Sequence, residues 1–310
     1  MKHTISVTLI LVLLFLATQL VGLATIGRYI TLQSVLNEET QQMETVVVYE
    51  ETVIGEPIEV ENKSYSGVYL LLGVLVGTAL LFLLIKFRAG SLWKYWFLLS
   101  VFLTLAIAFG VYVSTPIAIA MAAALAAWKV YRPNVIVHNL TEVFIYTGIA
   151  IIFLPIFSLF SAVILLILIS SYDMFAVWKS KHMIALAQFQ TSSKVFAGLL
   201  LPYHLKGKEQ EAASGKGKKK GKLVEERTAI LGGGDIAFPL LFSGVVMADL
   251  FQTTQLPKLA AFLTTSIIPA VCAISLFLLL YYAKKDKFYP AMPFLSFGCL
   301  VGYGIVSVLV

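Results

Sequence analysis

Charge is scarce in this chain: of 310 residues only 13% are Asp, Glu, Lys or Arg, against about a quarter in soluble domains. With 59% of the residues apolar, that scarcity excludes a water-soluble globular protein, because too little polar surface exists to cover the cores. Cysteine is scarcer still. Cys272 and Cys299 both lie inside apolar runs without C-x-x-C spacing, which excludes a disulfide framework and a cysteine-built zinc site. The sequence has no H-E-x-x-H, and His3, His138, His182 and His204 fall near the ends of apolar runs or between them. A zinc-protease reading therefore fails, and no metal or other cofactor is implied. The net charge of +6 does not point to nucleic acid, since the basic residues sit in short segments between apolar runs rather than on one face.

What the chain does have is apolar runs of membrane-spanning length, recurring from end to end. The first, from Ile5 to about Ile26, is too long for a signal-peptide core and long enough to span. Polar breaks divide the chain into nine predicted helices near 5–27, 66–86, 95–113, 115–130, 138–154, 156–178, 228–248, 258–282 and 290–310. The fold class is thus an all-α polytopic membrane protein, whose solvent is the lipid bilayer. If the nine spans alternate, all basic residues but Arg28, Lys63 and Lys258 fall on one side. Lys and Arg are retained on the cytoplasmic side, so the N-terminus is expected inside and the C-terminus outside, in the cell membrane.

The domain organisation expected is one catalytic membrane domain in three parts. Residues 1–178 carry helices one to six, 179–227 a cytosolic loop, and 228–310 helices seven to nine. Within the loop, Lys206–Arg227 is rich in Lys, Gly and Glu without aromatics and reads as a flexible linker. His182–Leu201 mixes apolar residues with Gln188, Gln190, Ser192 and Lys194 and is expected to lie along the membrane surface.

A carboxylate in a membrane helix costs about 2.5–3.5 kcal/mol on insertion scales, so each one asks for a function. Of 17 acidic residues, only Glu142, Asp173 and Asp235 lie in the predicted spans, with Asp249 at the outer end of the seventh. Glu142 and Asp249 are close enough to span ends to reach headgroups or water. Asp173 lies roughly 9 Å, and Asp235 roughly 12 Å, inside the same membrane face at 1.5 Å per residue, on helices running in opposite directions. Two carboxyls at matching depth can meet and share one proton, as in aspartic proteases. Gly232, Gly233 and Gly234 precede Asp235 and allow unusual dihedrals and close backbone approach. Tyr289-Pro290-Ala291-Met292-Pro293 opens the last span, and its prolines leave backbone carbonyls unpaired on the same side.

At these residues the chain resembles the presenilin and signal peptide peptidase family. Tyr172-Asp173 matches its YD motif, Gly232-x-Gly234-Asp235 its GxGD motif, and Pro290-Ala291-Met292 its PAL motif with Met for Leu, a volume-conserving change. The three occur in family order on spans six, seven and nine. The resemblance implies an intramembrane aspartyl protease with Asp173 and Asp235 catalytic, and with Tyr172, Gly232, Gly234, Pro290, Ala291 and Met292 bordering the substrate. Its substrates would be single-span transmembrane proteins or peptides. The inferred orientation is that of presenilins, and the hydrophilic linker lacks their hydrophobic insertion, so the chain resembles a compact microbial relative without an obligatory partner subunit; oligomerisation is left open. The rival reading is a proton- or cation-coupled transporter, which also uses paired intramembrane acids. Against it, the glycine-Asp segment has no second copy.

Overall fold

The computed structural model describes residues 4–310 apart from 37–42, 59, 61, 88, 181–195, 206–224, 255 and 285–288. Ten α-helices and two hairpins make up the described chain. They are α1 (Ile5–Tyr29), β1 (Ile30–Leu36), β2 (Met43–Tyr49), α2 (Ser66–Lys86), α3 (Gly90–Gly110), α4 (Thr115–Tyr131), α5 (Val135–Phe153), α6 (Leu159–Phe175), β3 (Gly198–Leu205), β4 (Glu225–Gly232), α7 (Gly234–Thr254), α8 (Lys258–Thr265), α9 (Ile267–Tyr282) and α10 (Met292–Leu309). Among the described residues, eight segments are long and apolar enough to cross a membrane, with α8 and α9 together forming one of them; α4 is apolar but shorter.

Local chemistry sets the helix ends. Asn134 caps α5 by accepting from the Ile136 N–H. Ser158 and Ser161 bond reciprocally at the start of α6 as a capping box, which satisfies two backbone donors that the first turn leaves unpaired. The chain turns between α5 and α6 at Leu154-Pro155-Ile156, a single 3-10 turn. Proline removes a donor there and stops the helix.

Helix α7 is the most enclosed span, with 72% of its apolar window buried, whereas α2 has 6%; α7 is therefore the axis of the bundle and α2 lies at its lipid edge. Around α7 pack α1, α5, α6 and α10. One core cluster joins α1, α5, α6, α7, α9 and α10 through residues such as Phe15, Leu154, Leu240, Phe242 and Leu295. A smaller one joins α3, α4 and α5 through Leu105, Ala122 and Ala126. Exposed Leu72, Val76, Trp96, Phe160 and Val308 are the lipid-facing counterpart, where an apolar side chain is in its preferred medium.

The hairpins depart from the all-helical expectation. Strand β1 continues directly from α1 and pairs antiparallel with β2 from Ile30↔Tyr49 to Leu36↔Met43. Strands β3 and β4 pair from Gly198↔Gly232 to Leu205↔Glu225. Consequently the seventh helix starts at Gly234 rather than near 228, and Glu225–Arg227 belong to a strand rather than to a linker. Gly198–Leu201 likewise opens β3 instead of lying along the membrane surface. The rest of the predicted surface stretch, and the linker from 206 to 224, lie outside the described residues. The physical reason is alternation: Ala229 and Leu231 are buried while Thr228 and Ile230 are exposed, the two-residue period of a half-buried strand.

Helices α3 and α5 approach closely at Gly148, where a Cβ would run into the Thr104 carbonyl. Gly148→Ala is expected to force the helices apart at a cost of about 1–3 kcal/mol. Gly77→Ala, on α2 with open space around it, is expected to be neutral or slightly stabilising. Thermal unfolding in detergent checks both, as a lowered midpoint for Gly148→Ala alone.

Candidate active site

Three helix ends meet on one side of the bundle. Asp173 lies in the last turn of α6, where the helix passes into a π-turn over Ala176–Ser180. Asp235 lies in the first turn of α7, directly after β4 and Gly233. Met292 begins α10, with Pro290 buried just before it. The first N–H groups of a helix have no intrahelical acceptor and carry the positive end of its dipole. Asp173 supplies the acceptor: its Oδ2 takes the Met292 N–H at 3.1 Å and its carboxyl also meets the Ala291 N–H. Asp235 is bonded to the backbone of Gly232, and the carboxyls of Asp235 and Asp173 lie within electrostatic reach of each other. The YD, GxGD and proline motifs are thus one constellation of two carboxyls and three backbone groups.

The glycines serve space rather than unusual dihedrals. None of Gly232, Gly233 and Gly234 has positive φ, which corrects one reason for expecting glycine there. A Cβ on Gly232 would sit 3.2 Å from Asp235 Oδ2, and one on Gly233 would sit 2.8 Å from the Tyr146 hydroxyl. At Gly234 the nearest neighbour, the Phe238 ring, is at 3.4 Å, an ordinary contact. Tyr172 turns to α2, where its hydroxyl meets Thr78 Oγ1 at 3.5 Å.

Further polar bonds brace the same ends. One turn before Asp173, the Ser170 hydroxyl bonds Ser296 Oγ at 2.7 Å, and Ser296 bonds the Leu166 carbonyl at 3.3 Å, pinning α6 to α10. Gln19 on α1 donates to the Ile236 carbonyl at 2.8 Å, within the α7 turn that Pro239 weakens by lacking an N–H. Glu142 is not near headgroups or water as expected: it is 1% exposed and bonded to Lys129, Tyr146 and Gly198. Its partners lie on α4, α5 and β3, and the strand is what turns a position near a span end into a buried one. Asp249 is partly buried near the far end of α7. Cys272 and Cys299 are free thiols 3.3 Å apart between α9 and α10. Among the described residues, no group of three or more His, Cys, Asp or Glu converges as a metal site would require.

The family described as signal-peptide peptidase, presenilin aspartyl protease matches residues 80–310. Two solved structures of a presenilin family intramembrane aspartate protease share the fold. One, in space group C222, has a TM-score of 0.60 at 17% identity and covers 98% of this chain and 99% of its own. The other, in space group P2, has a TM-score of 0.56 at 16% identity and covers 97% of each chain. No curated protein sequence matches. The class is therefore that of a multi-pass membrane protein with the fold of intramembrane aspartate proteases. The chain belongs to the signal-peptide peptidase and presenilin aspartyl protease family, and it is an aspartic endopeptidase. That membership favours the protease over the transporter reading.

The Ser170–Ser296 bond gives a stability prediction separate from chemistry. Ser296→Ala removes both hydroxyl bonds between α6 and α10 and is expected to cost about 0.5–1.5 kcal/mol for each, read as a lower unfolding midpoint in micelles.

Proposed function

We propose that Asp173 and Asp235 form the catalytic dyad of an intramembrane protease that hydrolyses peptide bonds within membrane-spanning substrate helices. The observation that supports this most is the convergence of the two carboxyls, Asp173 on the backbone donors at the start of α10 and Asp235, within electrostatic reach of it, on the backbone of Gly232. One carboxyl is ionised and the other protonated, with a water between them. The ionised member takes a proton from the water as its oxygen bonds to the scissile carbonyl carbon, while the protonated member gives its proton to the carbonyl oxygen. The tetrahedral diol then collapses: the C–N bond breaks, the amide nitrogen leaves with a proton from the dyad, and the remaining proton returns to the pair.

Hydrolysis needs an extended substrate, because the carbonyls of a helix are hydrogen-bonded and shielded. The outer edge of β3 is filled by α5 side chains, with Asn139 bonding both the N–H and the carbonyl of Leu200. Among the described residues β4 has no strand on its other side. An unwound substrate segment would add there as a strand, leading past Gly232 and Gly234 to Asp235, with Pro290, Ala291 and Met292 bordering the same groove. Tyr172 would border it from the α2 side. Single-span proteins or peptides are the substrates proposed, and no partner subunit is invoked.

The topology we propose has nine spans, α4 being the shortest, with residues 206–224 cytosolic and Val310 outside; the distribution of basic residues supports it. Single cysteines placed in residues 206–224 and after Val310 should react with impermeant reagents from opposite sides of the membrane. Labelling of both from one side would remove this topology.

For the dyad, a neutral amide cannot exchange the two roles. Asp173→Asn and Asp235→Asn are each expected to abolish cleavage nearly as fully as the double variant, since residues acting as one unit are non-additive. In the parent protein, activity should fall on both sides of a pH optimum, because gaining or losing one proton destroys the shared state. Cleavage of a single-span substrate by purified, correctly inserted protein across pH is the measurement. Substantial turnover by either single variant at any pH would sink the aspartyl dyad.

A further inference from the structure

Away from the two aspartates, the bundle buries a second polar cluster that the proposed chemistry does not use. Lys129 on α4 is 5% exposed and Glu142 on α5 is 1% exposed. The Lys129 Nζ donates to Glu142 Oε1 at 2.6 Å and to Thr141 Oγ1 at 3.0 Å, and it meets the His138 carbonyl at 3.3 Å and His138 Nδ1 at 3.1 Å. The other ring nitrogen, Nε2, lies 2.7 Å from the Gly198 carbonyl. A carbonyl only accepts, so Nε2 carries the proton and Nδ1 accepts from the ammonium, which describes a neutral imidazole. The remaining carboxylate oxygen, Glu142 Oε2, accepts the Gly198 N–H at 3.1 Å and the Tyr146 hydroxyl.

Two routes lead from Glu142 to Asp235. The first passes through the strands. Gly198 has both its backbone groups held from α5, and it has φ +148° with no room for a Cβ against the Leu231 carbonyl. It stands opposite Gly232, whose backbone bonds Asp235. The second passes through Tyr146. Its hydroxyl, fixed by Glu142, and its ring edge fill the space where a Cβ on Gly233 would lie, 2.8 and 3.0 Å away. Tyr146 also lies within electrostatic reach of Asp235. Of the three residues preceding Asp235, Gly232 is thus held by β3 and Gly233 lies against a tyrosine, and one carboxylate fixes both supports.

We propose that Glu142, acting through Tyr146 and Gly198 and balanced by Lys129, is a positioning residue that sets the Gly232–Gly234 turn and hence the place of Asp235 relative to Asp173. The inference rests on the reading of Asp235 as catalytic. A buried ion pair that served the fold alone would need no bond to the strand and no tyrosine against the glycine turn. With Glu142 Oε1 committed to Lys129 and Oε2 to both Gly198 and Tyr146, the carboxylate ties the strand and the tyrosine beside the turn to one point. The precision this supplies matters because small displacements of reacting groups cost large factors in rate.

The test compares Tyr146→Phe, Glu142→Gln and their double variant with the parent and with Asp235→Asn, in the full-length purified protein. Four readouts are taken: kcat, KM, affinity for a hydroxyl-containing transition-state isostere, and the thermal unfolding midpoint. Both single variants are expected to lower kcat about tenfold to a hundredfold, with KM within about threefold and isostere affinity falling in parallel with kcat. The double variant should be no worse than about the weaker single one, since the two act as one unit. Tyr146→Phe leaves the ring and the Lys129–Glu142 pair in place, so it decides the matter if Glu142→Gln fails to fold. Parental kcat and isostere affinity in folded Tyr146→Phe, with Asp235→Asn inactive beside it, would overturn the positioning role alone. Activity in Asp235→Asn would overturn the catalytic reading on which it rests.

Discussion

The site depends on one interaction: a carboxyl inside a membrane bundle taking the backbone donors that a helix start cannot satisfy for itself. In lipid an unpaired N–H and an unpaired carboxyl are each expensive, and each is the other's remedy. Met292 and Ala291 offer their N–H groups to Asp173, and Gly232 offers its backbone to Asp235. That reciprocity explains why two of the converging elements are helix beginnings, α7 and α10, and why proline and glycine cluster there. Proline at the start of α10 costs no intrahelical bond, and glycine before α7 lets the backbone come within contact of the carboxyl. The same pairing requires α6, α7 and α10 to be in register to within a hydrogen bond, and Ser170, Ser296 and Gln19 hold them there.

A second constraint is the sheet edge. A two-stranded hairpin inside a bundle exposes backbone on both sides, and each exposed group must be paired, covered or used. On β3 the side chains of His138, Asn139 and Glu142 take the N–H and carbonyl groups of Gly198 and Leu200, so α5 stands in for a third strand. Fixing β3 fixes β4 by register, and β4 ends at the glycines before Asp235. The buried Lys129–Glu142 pair belongs to this arrangement. Alone, such a pair seldom repays the cost of desolvating its charges, and here its carboxylate also satisfies a strand N–H and a tyrosine hydroxyl.

What the sequence made legible follows the same physics. Helices were readable because a bilayer demands long uninterrupted apolar runs: α1, α2 and α4 begin where expected, and α8 with α9 fills the expected eighth span. Asp173 and Asp235 stood out because few other acids interrupt those runs. Strands β3 and β4 are hidden from the apolar pattern because Gly198–Leu205 is too uniformly apolar to alternate visibly, and because β4 follows a charged segment that reads as linker. Glu142 was misplaced for that reason, since a carboxylate near a span end looks like a headgroup contact until a strand is brought against it. Its signal was present as His138, Glu142 and Tyr146, spaced four apart on one helix face, with Lys129 on the preceding helix.

The low identity to the solved structures, 17% over nearly the whole of both chains, is compatible with a shared fold because most positions here answer to a weak requirement. A lipid-facing residue such as Leu72, Phe160 or Val308 need only be apolar, and many side chains qualify at little cost. A core residue such as Leu240 or Phe242 must fill its space, which volume-conserving exchanges still permit. The demands tighten only where a polar group is buried or a backbone is crowded. Gly148 against the Thr104 backbone leaves no room for a side chain, Gly233 admits one only if Tyr146 shifts, and Gly232 is tight against Asp235. Glu142 cannot lose its charge without leaving Lys129 unpaired in the interior. In this chain the exacting positions are therefore the helix ends, the glycine contacts and the buried ion pair, and the remaining positions answer to weaker demands of apolarity and volume.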